Sequence, residues 1–183
     1  MKKFTLSLLL IFVWACSWAA QGKVLFYGYV TEGDLQEVVA PSKKAETKTL
    51  NEVTLNLFED GELTKTLNNR NSGFYAFILK AGKDYEVEFV KKGFITKKVS
   101  IKAAEIPNKE YDEAFKMFTD ITLFPEMEGK DFTDYSKRII ARCMYNSEKD
   151  RMSWDMEYAQ GVWGIFLDMT GVLTNDQALT KDE

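Results

Sequence analysis

In successive short runs between Lys23 and Ile101 the apolar residues recur at every second position, the period of a pleated strand whose side chains point alternately to opposite faces. The pattern is densest over Asn71 to Phe94, where two such runs are flanked and separated by turns carrying Gly73, Gly82 and Gly93. The first run, Phe74 to Leu79, is apolar on both faces, with Phe74, Ala76 and Ile78 against Tyr75, Phe77 and Leu79. That predicts a central strand covered on both sides, the cover coming from the C-terminal segment around Trp163 and Phe166. In the second run, Asp84 to Phe89, Tyr85, Val87 and Phe89 alternate with Asp84, Glu86 and Glu88, so one face meets water. Gly93, in the Lys92-Gly93 turn that follows, is expected at a positive φ.

The flanking runs extend the same logic. Lys23 to Val30 predicts a strand with Val24, Phe26 and Val30 on one face and Leu25, Tyr27 and Tyr29 on the other. Gly28 within it marks a close backbone approach or a bulge. Thr31 to Asn51 is polar, lysine-rich and carries Pro41, so it reads as a long connection. Glu52 to Glu59 turns Val53, Leu55 and Leu57 inward, and Asp60-Gly61 returns the chain as a hairpin through Glu62 to Leu67. Ile95 to Ile101 puts Lys97 on the face of Ile95, Val99 and Ile101; an inward lysine predicts a protected edge strand. Lys91, Lys92, Lys97, Lys98 and Lys102 form an anion-binding strip in the competing reading. Strands are further expected over Phe115 to Phe124 and Arg138 to Tyr145. From Met156 to Met169 the spacing changes to three and four, which predicts a helix within Ser153 to Gly171, weakened by Gly161 and Gly164.

Composition narrows the chemistry. A chain of 183 residues, 45% of them apolar, supports one core and does not require two full domains. Histidine is absent, which removes Ser-His-Asp and Cys-His catalysis and imidazole-dependent zinc sites. The formal net charge of −4 argues against nucleic acid as a partner. The two cysteines, Cys16 and Cys143, do not suggest a disulfide framework, and Cys143 reads as a small buried hydrophobe.

At the N-terminus, Lys2 and Lys3 precede an apolar run from Phe4 to Trp14 and the small-x-small site Ser17-Trp18-Ala19. This is the layout of a secretory signal peptide over residues 1–20, cleaved at Ala19 or Ala20. The run is shorter than the roughly 20 residues of a permanent span. Val13-Trp14-Ala15-Cys16 leaves lipidation of Cys16 as the alternative, with Trp14 a poor fit. The expected location is therefore extracytoplasmic, periplasmic or secreted, or an outer-membrane lipoprotein if Cys16 is acylated. A membrane is a partner only in that last case.

Two carboxylates on one element can do acid and base work, so the pairs Glu86 with Glu88 and Asp155 with Glu157 are candidates, with plain solvated charge as the competing reading. Glu128, Asp131 and Asp134 lack the ligand order of a dedicated calcium loop. No metal and no cofactor is expected, and no catalytic residue is assigned. Tyr27, Tyr29, Tyr75 and Trp154 are the candidate ligand surface, an aromatic platform for a sugar ring, with core packing as their competing fate.

Several of these residues also carry a resemblance. Gly28 and Val30, the run Val53 to Asp60, Asn71-Ser72-Gly73-Phe74-Tyr75-Ala76-Phe77, Gly82 with Tyr85 and Val87, and Lys92-Gly93-Phe94 follow the order of the carboxypeptidase regulatory-like domain. This transthyretin-like β-sandwich module is common in bacterial envelope proteins, and the chain resembles it over roughly 80 residues. The lysine-rich insertion from Gln36 to Asn51 departs from the family's short link. Phe115 to Tyr158, with its LFP, DF and WDMEY stretches, resembles the C-terminal extension of Bacteroidota-type envelope proteins. The resemblance implies a mainly β, antiparallel transthyretin-like sandwich over 23–103, with a C-terminal extension over 104–183 packed on it and containing extra strands and a short helix. It further implies a non-enzymatic envelope accessory protein with a protein partner. A carbohydrate-binding module with a glycan partner is the alternative, and a hydrolase using carboxylates alone is the third reading.

Overall fold

A computed structural model describes residues 22–35, 48–69, 72–109 and 111–171. Cys16, Ala19 and Ala20 lie outside the described residues, as does most of the lysine-rich connection. The protein is mainly β, with two sheets and a short C-terminal helix. The alternating runs form β1 (Lys23–Glu32), β2 (Thr54–Glu59), β3 (Glu62–Asn68), β4 (Phe74–Lys80), β5 (Asp84–Val90) and β6 (Lys97–Lys102). The rest of the described chain supplies β7 (Phe115–Phe118), β8 (Ile121–Leu123), α1 (Thr133–Ser136), β9 (Ile139–Asn146), β10 (Arg151–Trp154) and α2 (Met156–Thr170).

One sheet runs β4-β1-β7, with β8 also paired to β1; the other runs β10-β9-β6-β5-β2-β3. They share one core, in which Val24, Phe26, Tyr75, Phe77 and Leu79 of the first sheet meet Leu55, Val87, Phe89, Val99 and Ile101 of the second. The β2–β3 hairpin turns at Asp60 (φ 50°) and Gly61 (φ 88°), the two positive values that a two-residue turn needs to match strand twist. Where β3 passes to β4, Asn69 is buried and ties the corner. Its Oδ1 accepts from the Val53 N–H (2.7 Å), and its Nδ2 donates to the Leu50 (2.9 Å) and Gly73 (3.2 Å) carbonyls.

Four expectations are corrected. The sheets are mixed: β1–β4, β2–β3, β2–β5 and β5–β6 are antiparallel, but β7 and β8 run parallel to β1, and β9 runs parallel to β6. The extension therefore does not simply pack on a finished unit. Its strands join both sheets, and Met117, Ile121, Leu123, Cys143 and Met152 complete the common core. The strand expected over Phe115 to Phe124 breaks in two around Thr119 and Asp120, which cross β1 at Gly28. The Thr119 N–H donates to the Tyr27 carbonyl (2.9 Å), and Asp120 Oδ1 accepts from the Tyr29 N–H (2.9 Å). A Cβ on Gly28 would lie 1.8 Å from the Thr119 oxygen, so the close approach read from the mid-strand glycine is present.

Third, β4 is an edge strand and not a central one. Tyr75, Phe77 and Leu79 are buried as expected, but the second sheet contributes their cover, with the Tyr75 and Phe89 rings 5.2 Å apart. Trp163 and Phe166 cover Phe124, Ile95, Phe132 and Tyr135 in a separate cluster beneath α2. Fourth, β6 is an interior strand flanked by β5 and β9, so Lys97 does not protect an edge. The helix expected near the C-terminus is α2, capped by Asp155, whose side chain accepts from the Tyr158 N–H, and closed by Gly171 at φ 70°.

Candidate functional site

Because β1, β4 and β7 alternate, burying one face of their sheet commits every intervening side chain to the other. Leu25, Tyr27 and Tyr29 of β1, Phe74, Ala76 and Ile78 of β4 and Phe118 of β7 all fall on that outer face. The register sets Leu25 opposite Ile78, Tyr29 opposite Phe74, and Tyr27 between Ala76 and Phe118, so these residues form one strip across three strands. Ile78 is 73% exposed, Phe118 55%, Phe74 42% and Tyr29 38%. At about 150–250 Å² for a large side chain, those four alone present roughly 400 Å² of apolar surface to water. That matches the largest patches of soluble monomers, about 300–600 Å², which are often functional.

The rings of the strip meet edge to face. Tyr29 and Phe74 are 5.5 Å apart at 65°, and Tyr27 and Phe118 are 5.5 Å apart at 67°. The strip ends in cations. Lys23 lies directly opposite Lys80, both exposed, and Lys116 sits beside Leu25. Lys116 is paired with Glu113 at 2.9 Å, whereas neither Lys23 nor Lys80 has a carboxylate partner among the described residues. Like charges directly opposite across a strand pair are unfavourable, so among the described residues this end of the strip is electrostatically unsatisfied.

The four aromatic candidates do not converge. Tyr27 and Tyr29 belong to the outer strip. Tyr75 faces the core, its hydroxyl donating to the Thr119 carbonyl (2.7 Å) and its ionisation pushed far up by burial, with the Asp120 charge adding to the effect. Trp154 is half-buried against the core, 6.3 Å from the Phe26 ring. The charged candidates are dispersed as well. Glu88 pairs with Lys98 (3.3 Å) and accepts from the Asn56 amide, while Asp155 pairs with Arg142 (3.0 Å) as it caps α2. The Asp131 carboxyl is held low by hydrogen bonds from Thr133, and Asp134 pairs with Lys137 (3.3 Å). Among the described residues no three of Asp, Glu, Cys and His cluster to hold a metal ion, and no helix is long and apolar enough to cross a membrane. A cleft of about 510 Å³ lies near Glu88, Lys98, Glu126, Lys130, Asp131 and Lys137, and its two signs of charge interleave. Cys143 is fully buried, and burial pushes its thiol up to about 12, which leaves it unreactive near neutrality.

Lys97 is the most perturbed cation. It is 6% exposed, with Nζ 4.7 Å from the Phe124 ring centre and 5.9 Å from that of Phe166. Burial alone pulls its amine down to about 7. The basic run is thereby split, since Lys98 and Lys102 pair with Glu88 and Asp84 and Lys91 donates to the Asn51 carbonyl.

Reading by residue type missed Phe74, Ile78 and Phe118 as surface residues. Their signal was the doubly apolar pattern of Phe74 to Leu79, which is equally compatible with a covered strand and with an exposed apolar face. Models of known protein families give no match to this chain, and no curated protein matches it.

Proposed function

We propose that this is an exported, non-enzymatic accessory protein of the bacterial cell envelope that binds a protein partner through the outer strip of the four-stranded sheet. The observation that carries the reading is the exposure of Ile78, Phe118, Phe74 and Tyr29 on one continuous face. A patch of this size is smaller than the roughly 800 Å² each partner buries in a standard interface, and suits its apolar centre. The edge-to-face rings favour a protein over a glycan, because a sugar ring stacks on coplanar aromatic faces and these are tilted by 65° and 67°. Export rests on the signal-peptide layout of the first 20 residues. The non-enzymatic reading rests on the absence of histidine and on the dispersal of the candidate carboxylates, of which Glu88, Asp131, Asp134 and Asp155 are engaged with lysine, arginine or backbone groups.

The fold finer than two sheets is part of the same proposal: a transthyretin-like sandwich of the carboxypeptidase regulatory-like kind. What supports it is the antiparallel pairing of β1 to β6 and the positive φ of Gly73 (70°), Gly82 (87°) and Gly93 (80°) at the turns that carry the resemblance. The test is crosslinking and pull-down of the mature protein from its own envelope, with peptidoglycan and soluble glycans as competitors. Tyr29→Ser and Phe118→Ser should lose the captured protein while retaining the fold by circular dichroism. Capture unchanged by both substitutions, or abolished by a glycan, would overturn the reading.

A further inference from the structure

The free edge of β4 adds a second recognition element to that face. Hydrogen bonding to β1 uses alternate residues, as the bonds from the Val30 N–H to the Gly73 carbonyl and from the Ala81 N–H to the Gly22 carbonyl show at the two ends (2.8 Å each). The peptide groups of Ala76 and Ile78 therefore point away from β1, and among the described residues no strand pairs with them. At the ends of the edge the Phe74 N–H donates to Ser72 Oγ (3.4 Å) and the Lys80 N–H to the Tyr85 hydroxyl (3.1 Å), so the open stretch is the middle. Natural edges are blunted by charge, proline, bulges or short length. Here β3 carries Glu62 and Lys65, and β7, β8 and β10 have only 4, 3 and 4 residues. By contrast, β4 runs for 7 residues with no charge before its last.

Next to this edge, Asn69 ties the end of β3 to the start of β4, and β3 is exposed along almost its whole length, including Lys65 opposite the buried Leu57.

Resting on the reading of the outer face as a partner site, we propose that the partner presents an extended segment that adds to the edge of β4 as an antiparallel strand. Apolar residues of that segment continue the strip, and carboxylates at its N-terminal end lie against Lys80 and Lys23. The acidic end follows from the unsatisfied Lys23–Lys80 pair, and the extended form from the free peptide groups of Ala76 and Ile78.

The test uses the purified chain and two synthetic peptides of alternating valine and threonine, one beginning with two glutamates and the other with two lysines. Titration followed by amide NMR should give saturable shifts at Ala76 and Ile78. The acidic peptide should bind at least about tenfold more tightly at low salt, and Lys23→Glu with Lys80→Glu should reverse the order. Equal affinities, absence of shifts at those two amides, or slow hydrogen exchange there before peptide is added would overturn the proposal. The last outcome would mean that the chain covers its own edge. If Phe118→Ser abolishes envelope capture while neither peptide binds, the outer-face reading stands and strand addition fails.

Discussion

Replacing Lys97 by methionine should stabilise the protein, and the size of the gain can be worked from its surroundings. The amine is drawn from an ordinary 10.5 to about 7 by burial. At about 1.36 kcal/mol per unit, holding it protonated inside costs on the order of 5 kcal/mol at low pH. At pH 7, where the folded amine is about half protonated, the penalty is about 4 kcal/mol. Methionine keeps the length and apolar stem without the charge, so Lys97→Met should raise unfolding stability at pH 7 by about 2–4 kcal/mol. Between the folded value near 7 and the unfolded value near 10.5 the unfolded chain binds the proton and the folded chain does not. The Lys97 contribution to stability must therefore rise with pH across that window, by roughly 2–3 kcal/mol from pH 7.5 to 9.5, and be absent from Lys97→Met. Cys143, whose thiol burial pushes up to about 12, acts with the opposite sign in the upper part of the same window and Tyr75 and Tyr135 do so above pH 10, all alike in both proteins, so the Lys97 contribution is read from the difference between the two profiles. Urea unfolding of both proteins at several pH values is the assay. Equal stability at pH 7 together with parallel pH profiles would refute the argument.

Other substitutions test how the sheets are joined. Gly28→Ala would set a methyl 1.8 Å from the Thr119 carbonyl oxygen, so β1 and the β7–β8 crossover must separate; a loss of about 3 kcal/mol or more in urea is expected, and one under about 0.5 would contradict the close approach. Gly93 has φ 80° and open space around its Cβ position, so Gly93→Val should cost about 1–3 kcal/mol through backbone strain alone, and Gly93→Asn distinctly less. Asp155→Ala removes the cap of α2 and the carboxylate paired with the partly exposed Arg142, which predicts a loss of about 1–2 kcal/mol in thermal unfolding; an unchanged melting temperature would show the cap to be dispensable.

Strands β1, β2, β5 and β6 were legible because each buries one face, so that Val24 and Phe26, Leu55 and Leu57, and Tyr85, Val87 and Phe89 announce their orientation by period two, and β3 followed from the Asp60-Gly61 turn. The period is silent where both faces are apolar. For Phe74 to Leu79 it could not say that one face stays in water, and the main part of the candidate site was hidden there. Lys97 misled for a related reason: an inward lysine suits an edge, but an aromatic cluster assembled from Phe124, just after β8, and Phe166 of α2, distant in sequence, can also receive it. Pairing partners were not legible either. The parallel contacts of β7 with β1 and of β9 with β6 join segments separated by long crossovers, and no local signal records them. Strand β10 escaped notice because only Met152 of its 4 residues is fully buried.

The outer face of the four-stranded sheet is the proposed site where this protein meets a partner. The most direct measurement places a photoreactive amino acid at Phe118, at Tyr29 and, as a control on the other sheet, at Leu63, which is 56% exposed like the 55% exposed Phe118. After irradiation in the native envelope, adducts to one partner protein are predicted from Phe118 and Tyr29 and not from Leu63. Equal adducts from all three positions, or adducts from Leu63 alone, would contradict the account.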